Sequence, residues 1–326
     1  MNNPGSMEEW LLNGEILVKK VSLWVFLLGM GMLVSGGGMD GFDLVPKTAD
    51  LDIMEKKIQA EGVSLFLRAA GPETAEDVLI ALNGGPGQSS AYMRGLERLA
   101  GERLRVVTYD QRGTGRSGQP DDGFALLRYV EDLEAVRLAL GAEKIHIFGH
   151  SWGGIVTSRY STVHPDRIKS LIHMGGGPPY SQAMEEAQRR FGQRVQQLGP
   201  ELGIPSQPES LKELLEAILP AYFSNIKFPI PQEILDTELS QNTNQQTLQA
   251  LGDYDFREAM AAVRVPVLLL WGEKDPFGFP MAEATKEALI NADVKIELLK
   301  DCGHYWHENP DDFFIALKKF LFSLPD

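Results

Sequence analysis

The sequence predicts an α/β protein with a doubly wound, mostly parallel eight-stranded sheet and a helical cap. Three observations carry this. Short apolar β-rich runs alternate with helix-period segments along most of the chain. One run ends in Gly149-His150-Ser151-Trp152-Gly153, a glycine-framed serine between a strand and a helix. The alternation stops between about 178 and 255 and resumes after it.

In chain order, Ile53–Gln59 and Val63–Arg68 read as a hairpin across Ala60-Glu61-Gly62. Buried strands are then predicted at 78–82, 105–109, 145–148, 169–173, 266–271 and 294–299, giving eight with the hairpin. Leu126–Leu140, the segment after Ser151, Met281–Ile290 and Asp311–Leu321 have helical patterns. In the interruption, helices are predicted over Gln182–Gln197, Leu211–Tyr222 and Gln232–Leu251. The organisation expected is an amino-terminal arm (1–50), a first core part (51–177), the cap (178–255) and a second core part (256–326).

A serine on a sharp strand-to-helix turn presents its hydroxyl outward, and a nucleophilic serine needs a base oriented by a carboxylate. Asp275 follows the strand 266–271, and His304 follows the strand 294–299. Both therefore fall at carboxyl ends of strands, where α/β sheets place their sites. His307 and Glu273 are the near rivals. His146, His164 and His173 read as structural, and strand alternation turns His150 away from the face that Ser151 uses. Backbone donors for an oxyanion are expected from Trp152, next to the nucleophile, and from Gly85 in Asn83-Gly84-Gly85-Pro86-Gly87. Tyr180, Phe191, Tyr222, Phe223 and Phe228 are candidates for an apolar inner wall of the cap.

Four stretches together resemble the proline iminopeptidase-like branch of the α/β-hydrolase fold. They are Gly84-Gly85-Pro86-Gly87, Asp110-Gln111-Arg112-Gly113-Thr114-Gly115-Arg116-Ser117, the Gly149–Gly153 elbow, and Gly303-His304 with Glu308-Asn309-Pro310. The resemblance spans roughly residues 50 to 175 and 255 to 326. It most directly implies release of N-terminal proline from peptides, whereas the triad under a cap is read here as a serine hydrolase of small carboxylic esters or amides. The resemblance also implies that Asp110–Ser117 is architectural, with Arg112 and Asp110 able to pair. Two departures stand out: the family loop usually begins with His where this chain has Asn83, and family peptidases hold a free amino terminus with cap glutamates beside tryptophan. Tryptophan occurs here only at 10, 24, 152, 271 and 306. Glu213, Glu216 and Glu233 are the glutamates placed for such a role, and are expected to face solvent. The same triad could serve lactone opening or perhydrolysis, and a non-catalytic receptor on this fold is a further alternative.

The chain has 326 residues, 45 acidic against 31 basic, and a net charge of −14. That balance argues against nucleic-acid binding and against anionic membrane surfaces. Cys302 is the single cysteine, so no internal disulfide can form. No metal-ligand spacing and no dinucleotide fingerprint occur, and no cofactor is expected. Lys19-Lys20, the apolar run Val21–Val34 and Ser35-Gly36-Gly37-Gly38 form an export-signal pattern. The run is shorter than the roughly 20 apolar residues of a membrane-spanning helix. Export to the periplasm or medium is the expectation, with an apolar arm packed on the protein as its rival.

Overall fold

The computed structural model describes residues 51–205 and 211–324. The amino-terminal arm and its export pattern lie outside the described residues.

The eight strands are β1 (Ile53–Ala60), β2 (Val63–Ala70), β3 (Asp77–Leu82), β4 (Leu104–Tyr109), β5 (Ile145–His150), β6 (Ile168–Met174), β7 (Val267–Gly272) and β8 (Val294–Leu299). They form one sheet in the order β1-β2-β4-β3-β5-β6-β7-β8. β1 and β2 are antiparallel, as are β2 and β4, and the remaining pairs are parallel. β4, β5 and β7 are buried at every position, so both faces of the sheet are covered. β8 is an edge strand and alternates between half-buried and exposed over Val294–Glu297. The sheet is the one the apolar runs predict.

Strand order reverses around β3, which has β4 on one side and β5 on the other. The loops after β3 and β5 consequently open into one crevice, the position at which α/β sheets hold ligands. They are the Asn83–Gly87 and Ser151 turns.

The core helices are α1 (Leu126–Ala139) and α2 (Trp152–Val163). Between β6 and β7 lie α3 (Ser181–Leu202), α4 (Leu211–Ile218), α5 (Gln232–Leu235), α6 (Gln241–Leu251) and α7 (Arg257–Met260). α8 (Pro280–Ala288) joins β7 to β8, and α9 (Pro310–Leu321) follows β8. The segment expected as one helix over Gln232–Leu251 is broken into α5 and α6. Residues between them pair with the loop after β3 instead: Ser89 N–H donates to Glu238 O at 2.9 Å, and Ser240 N–H to Gly87 O at 2.9 Å. The Ser240 hydroxyl then caps α6 by accepting from Thr243 N–H. α4 likewise gives way to a 3-10 turn at Leu219–Tyr222, where Pro220 cannot continue an α-helical ladder.

Candidate active site

Ser151 leaves β5 with φ 53° and ψ −119°, one of two non-glycine residues with positive φ among those described. Such a conformation is costly for an L-residue and persists only where its surroundings enforce it. Here they do: the Ser151 carbonyl accepts from Gly154 N–H and Gly177 N–H, both at 2.8 Å. The glycines on either side are required by close packing. A Cβ on Gly149 would lie 2.6 Å from the Gly153 carbonyl, and one on Gly153 would lie 2.5 Å from the Leu82 carbonyl. Ser151 is half-buried and lines a pocket.

His304 is buried and faces Asp275, its Nδ1 standing 2.9 Å from Asp275 Oδ2. A carboxylate only accepts, so Nδ1 carries a proton. Nε2 is buried and has no hydrogen-bond partner. The link from His304 to Ser151 is thus open in this structure, while the link to Asp275 is made; unliganded sites commonly show such loose geometry. Asp275 Oδ1 is occupied by the Phe277 N–H at 2.9 Å. The His304 ring sits among His150, Tyr222 and Phe277, with centroid separations of 4.8, 5.8 and 4.7 Å.

The loop bearing His304 is held from the insertion. His304 N–H donates to Tyr222 O at 2.8 Å. Glu308 accepts from Gly303 N–H at 2.6 Å, Ser224 N–H at 2.8 Å, the Ser224 hydroxyl at 2.8 Å and Asn225 N–H at 3.1 Å. The rival residues are engaged elsewhere. His307 Nε2 meets Glu233 Oε1 at 2.8 Å, and Glu273 accepts from Asp301 N–H on the exposed surface. His146 and His173 are tied to Ser170 and Thr157. Cys302 is buried, with its thiol donating to Tyr305 O, and burial pushes that thiol upward, away from thiolate formation.

Gly85 lines the pocket with φ 120°, and Gly84 N–H beside it is committed to the Tyr92 hydroxyl at 2.6 Å. Trp152 begins α2, and its indole N–H donates to Gln111 Oε1 at 2.9 Å. Gln111 in turn donates to the carbonyl and side-chain oxygens of Asn83, both at 3.1 Å. Asn83 donates to Gly84 O and Gln88 O. The Asp110–Ser117 stretch therefore braces the loop after β3 against the elbow. Its charges pair otherwise than expected. Arg112 binds Asp132 and Asp122, while Asp110 accepts from the Ser90 amide and hydroxyl and from Arg116 N–H.

The pocket is walled by Met184, Tyr222, Phe277, Met281 and Tyr305, with Gln88, His150 and Gly177 beside the reacting groups. With the open solvent at its mouth included, the empty space is about 460 Å³. Burial raises the Tyr222 hydroxyl well above its ordinary value and that of Tyr305 to about 12, and it holds His150 well below the usual imidazole range, so these groups are uncharged near neutrality. Among the described residues no carboxylate lines the pocket.

Of the residues suggested for the inner wall of the cap and for holding an amino terminus, only Tyr222 lines it. Tyr180 is held at the base of the insertion by its bridge to Asp255 and by Arg257 over its ring at 4.2 Å. Phe223 is turned between Phe228 and Tyr305. Glu233 is drawn to His307, and Glu213 on α4 is half-buried rather than solvent-facing and lies outside the pocket lining. Phe191 supports the wall from behind, stacked on Phe277 at 4.9 Å. His150, expected to face away, lines the pocket because the positive φ at Ser151 ends the strand's alternation. Met184, Phe277 and Met281 had no sequence signal beyond apolarity; Phe277 alone follows closely on a named site residue.

Residues 77–310 match the family described as alpha/beta hydrolase fold. The chain belongs to that family. Within it the chain is proline iminopeptidase-like and is a serine hydrolase. It is 27% identical over 299 residues to a proline iminopeptidase of Lactobacillus crispatus, covering 83% of this chain and 99% of that one. Among solved structures it resembles a proline iminopeptidase of Mycobacterium smegmatis, with TM-score 0.65, 23% identity, and 83% and 98% of the two chains covered. An esterase from Rhodococcus sp. ECU1013 matches with TM-score 0.64, 22% identity, and 84% and 99% covered. The two structural likenesses speak for the fold.

Proposed function

We propose that this hydrolase cleaves small, neutral carboxylic esters or amides through an acyl-enzyme on Ser151. The observation that supports it is the pairing of a strained, pocket-facing Ser151 with a His304 whose proton is held on the Asp275 side. In this reading Ser151 Oγ attacks the substrate carbonyl carbon while its proton passes to His304 Nε2. The oxygen becomes an oxyanion held by the Gly85 and Trp152 amides. His304 then gives its proton to the leaving alcohol or amine as the carbon–heteroatom bond breaks, leaving acyl-Ser151. A water attacks the acyl carbon while His304 takes its proton, and His304 returns that proton to Ser151 Oγ as the acyl–oxygen bond breaks and the acid leaves. Asp275 orients the imidazole and stabilises the imidazolium without taking its proton.

The wall of the pocket argues for a neutral substrate. An ammonium group buried without a partner costs several kcal/mol, and the described lining offers it no carboxylate. The second reading is release of N-terminal proline from peptides, favoured by the names of the relatives. Parallel assays of short-chain aryl esters and a prolyl arylamide separate the two. The ester is expected to turn over faster under matched conditions, and faster arylamide cleavage would reverse the preference. Ser151→Ala should abolish both activities and labelling by an organophosphate, with a loss on the order of 10⁶ in kcat. Activity within about tenfold of wild type would remove Ser151 from the mechanism.

A further inference from the structure

His150 connects the two halves of the site, and its environment fixes where its proton lies. Its Nε2 is 3.0 Å from the backbone carbonyl of His304, and its Nδ1 is 2.7 Å from the Tyr92 hydroxyl. A carbonyl only accepts, so Nε2 must carry hydrogen. Burial disfavours the imidazolium, so Nδ1 presents a lone pair. The Tyr92 hydroxyl therefore donates to Nδ1, and its oxygen is left to accept from Gly84 N–H at 2.6 Å. Every donor in the chain has one acceptor. Gly84 N–H points to Tyr92, Tyr92 O–H to His150, and His150 Nε2–H to the His304 carbonyl.

We infer that His150, through Tyr92, is a positioning residue that fixes the separation of the His304 loop and the Gly84-Gly85 loop. The three anchored segments lie far apart in sequence, and His150 immediately precedes the serine. No other side chain among the described contacts bonds both to the backbone of His304 and, through one hydroxyl, to the loop after β3. The arrangement has a direct consequence for the reaction. The imidazole must take a proton from Ser151 while the Gly85 amide meets the oxygen of the same tetrahedral carbon. A misplacement of about 1 Å between such groups costs about 100-fold in rate. The chain is also intolerant of the wrong proton placement. With hydrogen on Nδ1, His150 would face Tyr92 as a donor and oppose the His304 carbonyl with a lone pair. The aromatic enclosure limits the room for the ring to turn, with Tyr92, Tyr305 and Trp306 centroids at 5.5, 5.1 and 5.5 Å.

The inference rests on the hydrolase reading, so the experiment has one arm that needs no substrate. Nitrogen-15 shifts of the histidine rings, measured on the full chain at pH 7.5, report the His150 tautomer; its signals are those lost in His150→Gln. A neutral ring protonated at Nε2 is expected. A proton on Nδ1, or a charged ring, would overturn the relay whether or not any ester is cleaved. The kinetic arm uses a short-chain aryl ester, with rates expressed per site titrated by an organophosphate. His150→Phe should lower kcat about 10- to 100-fold; KM is read on Tyr92→Phe, whose ring lies outside the pocket lining, and should there stay within about threefold. His150→Gln should recover about tenfold of that loss, because its amide can donate where Nε2 did. Tyr92→Phe should lower kcat about tenfold, and the double variant His150→Phe/Tyr92→Phe should be no worse than His150→Phe within about threefold, as links of one chain are not additive. A merely structural role would lower the titrated fraction and the melting temperature, leave kcat per site unchanged and treat Gln like Phe. That pattern, or fully multiplicative losses, would overturn the inference. Should His150→Phe fail to fold, Tyr92→Phe deletes a single hydroxyl and carries the kinetic test.

Discussion

Asp275→Asn is the substitution whose outcome the geometry constrains most tightly. Both carboxylate oxygens accept from N–H groups at 2.9 Å: Oδ2 from His304 and Oδ1 from Phe277. An asparagine has one accepting oxygen, so it can satisfy only one of them. If its oxygen stays with Phe277, its NH₂ faces His304 Nδ1. That nitrogen must then accept, the proton moves to Nε2, and His304 no longer receives a proton from Ser151. If the amide flips, the productive tautomer survives but two donors meet at Phe277. A buried unpaired donor costs about 1–3 kcal/mol, and the exchange of a charged for a neutral acceptor on the imidazolium about 1.5–3 kcal/mol more. Together these predict a barrier higher by about 3–6 kcal/mol, or a loss of about 10²–10⁴ in kcat. KM should be nearly unchanged, because Asp275 does not line the pocket. Stopped-flow acylation with an activated aryl ester measures the loss, and the nitrogen-15 shift of His304 identifies the tautomer. A variant within about tenfold of wild type, or one that loses activity only through KM, would refute the reasoning.

Glu308→Gln should weaken the loop that carries His304. Two carboxylate oxygens there receive four donors, and an amide NH₂ would oppose about half of them. A loss of about 2–4 kcal/mol follows, read as a lower melting temperature together with a lower kcat; an unchanged melting temperature would contradict it. Acid sensitivity should come from buried imidazoles. Burial holds His146 and His173 at about 4, against an ordinary value of 6.5. Between those two pH values the unfolded chain binds protons that the folded one refuses. Their contribution is therefore complete above pH 6.5 and lost as the pH falls to 4, about 3 kcal/mol for each. Urea titrations from pH 7.5 to 4 should show that limb, and His146→Gln and His173→Gln should each flatten it. A limb that begins only below pH 4.5, where carboxylates titrate, would assign it to other groups.

The strands were legible because each of β4, β5, β6 and β7 is an apolar run ended by turn residues, and a buried parallel strand needs nothing else. Asp275 and His304 were legible for a related reason: each follows closely on a strand, so local sequence nearly determines its place in space. The pocket wall was not. Met184 and Met281 reach it from helices whose rotation is set by packing, and Phe223 is carried past it by the turn after Pro220. The break between α5 and α6 depends on a partner more than a hundred residues away, the Gly87–Ser89 loop, which no helical period reveals. The partners of Arg112 were missed because Asp132 lies on α1, brought close only by tertiary packing. His150 was misplaced by extending strand alternation one residue into a turn that reverses it.

The joint between Tyr222–Asn225 and the Gly303–Glu308 loop bears on how a protein like this can be re-engineered or diversify. An insertion seated only on the rim of a sheet could be exchanged wholesale, as an interchangeable lid. Here the loop that carries His304 leans on it through the His304 amide and the Glu308 carboxylate. A chimera that imports another insertion inherits a histidine without its scaffold unless the graft also carries a turn able to meet both groups. A graft that alters Met184 and the helix around it leaves the His304 loop its supports, while the stretch around residues 222–225 must travel with that loop.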